Sequence, residues 1–192
     1  FGGCYAIRKS LFSDIPANFL VDDFYVCMKI LEQGYHSVSS LKAIVYEEAS
    51  HNLWIEYRRK TRIATGNFQN LAKFSKMIFK GRGIGFCFMS HKVLRWKGPV
   101  LMLLLFFSSF VAWWLSVGIN PVLCLGIFGA MSLSLMLLLA DRLLNLFQIH
   151  VGLLRLNTHF LIMNAAMLKG MFRYFKGVKS GVWQPTSRTQ NA

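Results

Sequence analysis

Residues 98–140 contain no charged side chain. A helix needs roughly 20 consecutive apolar residues to cross the hydrocarbon core of a bilayer, so this run is long enough for two crossings. It is interrupted once, by "GINP" at residues 118–121. Gly, Asn and Pro favour a turn, and Pro suits the first position of a new helix. The pattern predicts a hairpin of two spanning helices. The rest of the chain agrees: 54% of its 192 residues are hydrophobic and its mean hydropathy is +0.41, too apolar for an ordinary soluble domain.

Charge orients the hairpin. The formal net charge of +14 would suit a nucleic-acid binder, but its distribution points elsewhere. Half of the 22 basic residues lie between 51 and 97, with Glu56 the one acid among them, and the block ends at Lys97 where the apolar run begins. Positive residues flanking a span mark the cytoplasmic side and attract anionic headgroups by about 1 kcal/mol each near the surface. The expected surroundings are therefore membrane lipid and no nucleic acid. Cys4, Cys27, Cys87 and Cys124 form no CxxC pair, and the five histidines show no metal-ligand spacing, so neither a disulfide framework nor a zinc site is expected.

Residues 1–50 read as part of a soluble α/β unit. Phe24, Cys27, Met28 and Leu31 fall on one face of a helix over 24–33, with Gly34 as its stop. "YHSVSS" and "AIVYEE" read as short strands on either side of a turn near Lys42. Ser50 is a candidate N-cap for a long helix running toward Phe79, and "GIGFCFMSHKVLRW" reads as a second basic, apolar helix; both suit the headgroup layer. A third apolar stretch, "HFLIMNAAMLKGMFRYF", carries Lys169 and Arg173 and precedes a basic tail. Crossing the membrane there would carry the tail outside, against the charge rule, so an interfacial or re-entrant helix is expected.

Several residue groups suit chemistry. Asp22 and Asp23 are adjacent in a chain with only eight acidic residues. One could cap the coming helix while the other complements its dipole, or one could accept a proton from an attacking hydroxyl; the two roles are compatible. In "YRRKTRIATGNFQ", Arg59 and Arg62 project from one helix face, and the guanidinium fork suits phosphate oxygens; a solvated basic stripe has the same pattern. Gly66 within this helix costs roughly 1 kcal/mol relative to Ala and fits a place where a ligand or another helix comes close. "GGCYAIRKSLF" permits close backbone approach or an ordinary turn, and "VWQPTSR" stands in an otherwise polar tail.

In order and spacing, "GGCYAIRKSLF", "VDDFYVCMKILEQGY", "AIVYEE" and "RRKTRIATGNFQ", followed by a basic segment and paired spans, resemble the C-terminal half of a membrane-embedded family 2 glycosyltransferase, like the cellulose, chitin and hyaluronan synthases. The resemblance implies an α/β fold: residues 1–50 as the C-terminal part of a cytoplasmic, Rossmann-like GT-A domain, 51–97 as interfacial helices with the arginine motif, 98–140 as the transmembrane hairpin, and 141–192 as the third apolar helix and basic tail. It implies inverting transfer from a nucleotide-diphosphate sugar to a saccharide or lipid-linked acceptor, in the plasma membrane of a bacterium.

Asp23 matches the family's catalytic base, with Asp22 beside it, and Arg62 matches the arginine that holds the donor diphosphate. Arg59 stands where the family has Gln, and Ile63 where it has Trp, a departure that favours single or short-chain transfer over processive synthesis. Gly2, Gly3 and Cys4 match the acceptor and donor floor, and Trp183, Thr186 and Arg188 a tail motif near the active-site mouth. The divalent metal (Mg or Mn) of the family is held by a DxD motif that this sequence lacks. The expectation is a fragment, beginning with Phe1, that lacks the nucleotide- and metal-binding half and is inactive alone. The reading from another class is a basic membrane protein that binds anionic lipid or a partner without catalysis.

Overall fold

The computed structural model describes residues 4–40, 42–46, 52–115 and 120–181. Five helices dominate: α1 (Asp22–Glu32), α2 (Leu53–Lys73), α3 (Leu94–Trp114), α4 (Pro121–Leu146) and α5 (Gly152–Phe175). The chain divides into two units, Phe1–Trp96 with Lys169–Ala192, and Lys97–Leu168.

The expected α/β fold is not found, because the described residues contain no strand. Residues 35–40 and 43–46 are irregular, the last two residues of "AIVYEE" lie outside the described residues, and Val38, Ile44 and Tyr46 of the expected strands are 92%, 69% and 91% exposed. A strand persists only where a neighbour pairs its backbone and covers one face. Among the described residues no such neighbour exists, so alternation alone fails to make a sheet. In place of a Rossmann-like layer, the first unit has a helical core.

That core is built from the apolar face of α1. Phe24, Tyr25 and Met28 pack with Phe68 of α2, Phe74, Met77, Phe88, Val93 and Trp96. The ring of Phe24 meets Trp96 edge-on at 5.5 Å between centroids. Gly34 ends α1 as expected: its φ is +87°, and Tyr35 N–H donates to Ile30 O while Gly34 N–H donates to Leu31 O, a Schellman arrangement. Lys80 Nζ adds a bond to the carbonyl of Glu32 at 2.8 Å, a cation at the negative end of the helix.

Asn52 caps α2, its Oδ1 accepting from Trp54 N at 2.9 Å and Ile55 N at 3.3 Å; Ser50 lies outside the described residues. The helix stops at Lys73, short of Phe79. Phe74, 1% exposed, turns into the core, and a 3₁₀ segment, Ser75–Phe79, follows.

The basic segment and the first apolar run form one unbroken helix, Gly83–Trp114, of 32 residues. Two π-wound stretches, Gly81–Gly85 and Met89–Val93, tie its beginning to the core of the first unit. In the second unit, Asn120 caps α4 through bonds from Val122 N and Leu123 N, and Pro121 opens it. The helix runs past the uncharged stretch and includes Asp141, 5% exposed. Its large apolar residues lie uncovered, with Met136 at 67% and Leu139 at 60% exposure. By length and composition, Gly83–Trp114 and Pro121–Leu146 can each cross a membrane. Ser134 and Asn157 tie α4 to α5 through two bonds, Ser134 Oγ to Asn157 Oδ1 at 2.6 Å and Asn157 Nδ2 to Ser134 O at 2.8 Å.

Candidate functional site

The site begins with one face of α2. Arg62, Gly66, Gln69 and Asn70 are spaced 4, 3 and 1 residues apart, which aligns them along a single stripe. All four meet the irregular segment of residues 18–21 that leads into α1. Arg62 Nη1 donates to Leu20 O at 2.9 Å. Gln69 bonds in both directions: its Oε1 accepts from Leu20 N at 3.1 Å and its Nε2 donates to Asn18 O at 2.8 Å. Asn70 Nδ2 donates to Val21 O at 3.2 Å and to Gly66 O at 3.0 Å. At Gly66 an added Cβ would stand 2.5 Å from Val21 Cγ2 and 3.0 Å from its backbone nitrogen. The mid-helix glycine thus marks close approach of a main-chain segment, where a ligand or another helix was expected.

This strap sets the start of α1. Val21 is the N-cap and supplies no side-chain cap bond. Asp22 and Asp23 are therefore not caps; both lie in the first helical turn, where the helix dipole favours negative charge. Asp22 is exposed and Asp23 partly buried.

The flank of α2 beside this stripe carries the end of α5. Thr65 Oγ1 lies 2.8 Å from Thr61 O and 3.2 Å from Gly170 O, a hydrogen shared between two carbonyls. A Cβ on Gly170 would collide with the Ala64 Cβ and stand 2.7 Å from Thr61 O. This packing brings Arg173 into the electrostatic neighbourhood of Arg62. The tail then returns to the strap, with Gly181 N–H donating to Ala17 O at 2.9 Å.

Burial lowers the affinity of the Arg62 guanidinium for its proton, and Arg59 lowers it further, while Asp22 and Asp23 act in the opposite direction. Arg62 remains a cation, as arginine does throughout the accessible pH range. The four sequence-predicted groups, Asp22, Asp23, Arg59 and Arg62, thus share one electrostatic neighbourhood. Arg59 also reaches Glu56 Oε1 at 3.4 Å. Cys27, one turn into α1, is buried, and burial pushes its thiol up; a hydrogen bond with Ser37 works against the shift.

The remaining expected site residues are placed differently. Cys4 is exposed in an irregular stretch. Gly2, Gly3, Trp183, Thr186 and Arg188 lie outside the described residues. Among the described residues, no three His, Cys, Asp or Glu side chains converge to hold a metal ion; Asp22 and Asp23 without a third ligand do not make such a site. Gln69, Asn70 and Arg173 escape the sequence reading. The first two could be found from their offsets of seven and eight residues from Arg62, but nothing local announces Arg173.

No curated protein and no solved structure gives a significant match to the chain. Residues 1–168 match the model of "Glycosyl transferase family group 2", a span covering most of the sequence, and the chain belongs to that family.

Proposed function

We propose that this transferase moves a sugar from a nucleotide-diphosphate donor to an acceptor hydroxyl, with inversion, at the cytoplasmic face of a membrane. Asp23 removes the proton from the acceptor hydroxyl as that oxygen attacks the anomeric carbon. The bond to the diphosphate breaks on the far side, and Arg62 stabilises the charge gathering on the leaving group, aided by Arg59. The observation that carries the reading is the strap of residues 18–21, which sets the Asp22–Asp23 turn within electrostatic reach of Arg62. The Mg or Mn ion expected from the family has no ligand set among the described residues, and no step here passes through it.

The acceptor is a saccharide or a lipid-linked acceptor, extended by a single sugar or a short chain, since Ile63 offers no flat ring on which a growing polymer could stack. The basic block before residue 98 and the uncharged loop between the apolar helices support a cytoplasmic catalytic side. Family membership disfavours the reading of a lipid-binding protein without catalysis.

The test is to place the complete polypeptide in membranes and screen nucleotide sugars for release of the nucleoside diphosphate. Asp23→Asn is expected to abolish release while donor binding persists; turnover in that variant refutes the base assignment. Arg62→Ala is expected to weaken donor binding, and an unchanged donor affinity removes its diphosphate role.

A further inference from the structure

Three side chains of α2 spend their polar groups on the backbone of residues 18–21. The Gln69 amide is used at both ends, on Leu20 N and Asn18 O. Asn70 gives its N–H groups to Val21 O and Gly66 O and leaves its own oxygen buried without a hydrogen-bond partner. A buried, unsatisfied acceptor costs about 1–3 kcal/mol. A helix selected for stability alone would place an apolar residue at such a position, as α2 does at Phe68. The polar stripe therefore serves the strapped segment, and that segment ends where Asp22 begins.

We infer that Gln69, supported by Asn70 and by the close approach of Val21 that the missing side chain of Gly66 permits, is a positioning residue: it locks the main chain of residues 18–21 so that the Asp22–Asp23 turn stays beside Arg62. The inference rests on the proposed roles of Asp23 and Arg62 and extends them to a group that touches no substrate. Gln69 is suited to the task because its amide carries a donor and an acceptor on separate atoms, which reach a strap carbonyl and a strap N–H two residues on. The bond from Leu20 N is the critical one, since Leu20 O is also the acceptor for Arg62. One residue of backbone thus joins the Gln69 amide to the Arg62 guanidinium, and slack at Leu20 moves the arginine and the aspartates relative to each other.

The test uses the complete polypeptide in membranes with Gln69→Ala, and Thr65→Ala as a comparison that removes a buried side-chain bond from the same helix, one made to the backbone of Gly170 and not to residues 18–21. Backbone hydrogen exchange at Leu20 is expected to quicken by about tenfold or more in Gln69→Ala and to be unchanged in Thr65→Ala. With the nucleotide sugar found by the screen, kcat is expected to fall about 10- to 100-fold in Gln69→Ala, as for a misplacement of order 1 Å, with little change in donor KM. Unchanged exchange at Leu20, or an equal loss of kcat in Thr65→Ala, overturns the positioning role. The two levels of the proposal separate cleanly. Full turnover in Gln69→Ala alongside a dead Asp23→Asn sinks the positioning role alone, whereas turnover in Asp23→Asn sinks the base assignment and the purpose of the strap with it.

Discussion

At the scale of single residues, the first turns of α1 combine exposed charge with a buried thiol. Cys27 is 6% exposed, and burial raises its pKa above the ordinary 9.0. The folded protein therefore keeps this proton at a pH where the unfolded chain loses it. The contribution is fully present below pH 9.0 and is lost as the pH rises through the unfolded value toward the folded one. Thermal unfolding followed between pH 7 and 10.5 should show an alkaline decline that is shallower in Cys27→Ala; an identical slope in both proteins would assign the decline to other groups. The Asp22–Asp23 pair and the two arginines were legible as residue types at suggestive spacing. The strap that leads into the aspartates was not, because it is held by Gln69 and Asn70, whose amides look like ordinary helix surface until the chain of residues 18–21 is laid across them.

At the scale of elements, α1 was the easiest to read: its apolar face has the right period and Gly34 supplies the left-handed stop. Pro121 after Asn120 was equally readable as a helix start. The end of α4 was not, since Gln148 takes the left-handed position with φ of 60°, a place glycine usually holds. The lack of strands among the described residues illustrates the opposite error, a local pattern with no partner to make it real. The contact of α2 with the end of α5 has a definite consequence for mutation. At Gly170 a methyl group meets Ala64 and the backbone of Thr61 and Thr65, neither of which can step aside without moving a helix. Gly170→Ala should cost about 1–3 kcal/mol through overpacking, measured as a lower denaturation midpoint in detergent. Gly129→Ala, where nothing lies within 4 Å, should change it little; equal effects would refute the packing argument.

For the whole molecule, apolar composition, a basic block and two helices long and apolar enough to cross a membrane all suit association with a bilayer, and the apolar run of residues 98–140 was legible in the sequence. Cys87 is exposed within the basic segment, so a membrane-impermeant maleimide should label it in inside-out vesicles and spare it in right-side-out ones. Labelling from the outer face would invert the proposed topology. What no local pattern reveals is that residues widely separated in sequence complete one core. The first unit takes its last pieces, Met171 and Tyr174, from beyond residue 168, where the family match ends. During synthesis, then, the ribosome must produce the entire apolar hairpin before the first unit can close. A nascent chain halted at residue 168 would already hold every proposed reacting group yet still leave Phe68 without the ring of Tyr174 beside it, which makes completion of this core wait on the hairpin having been synthesised first.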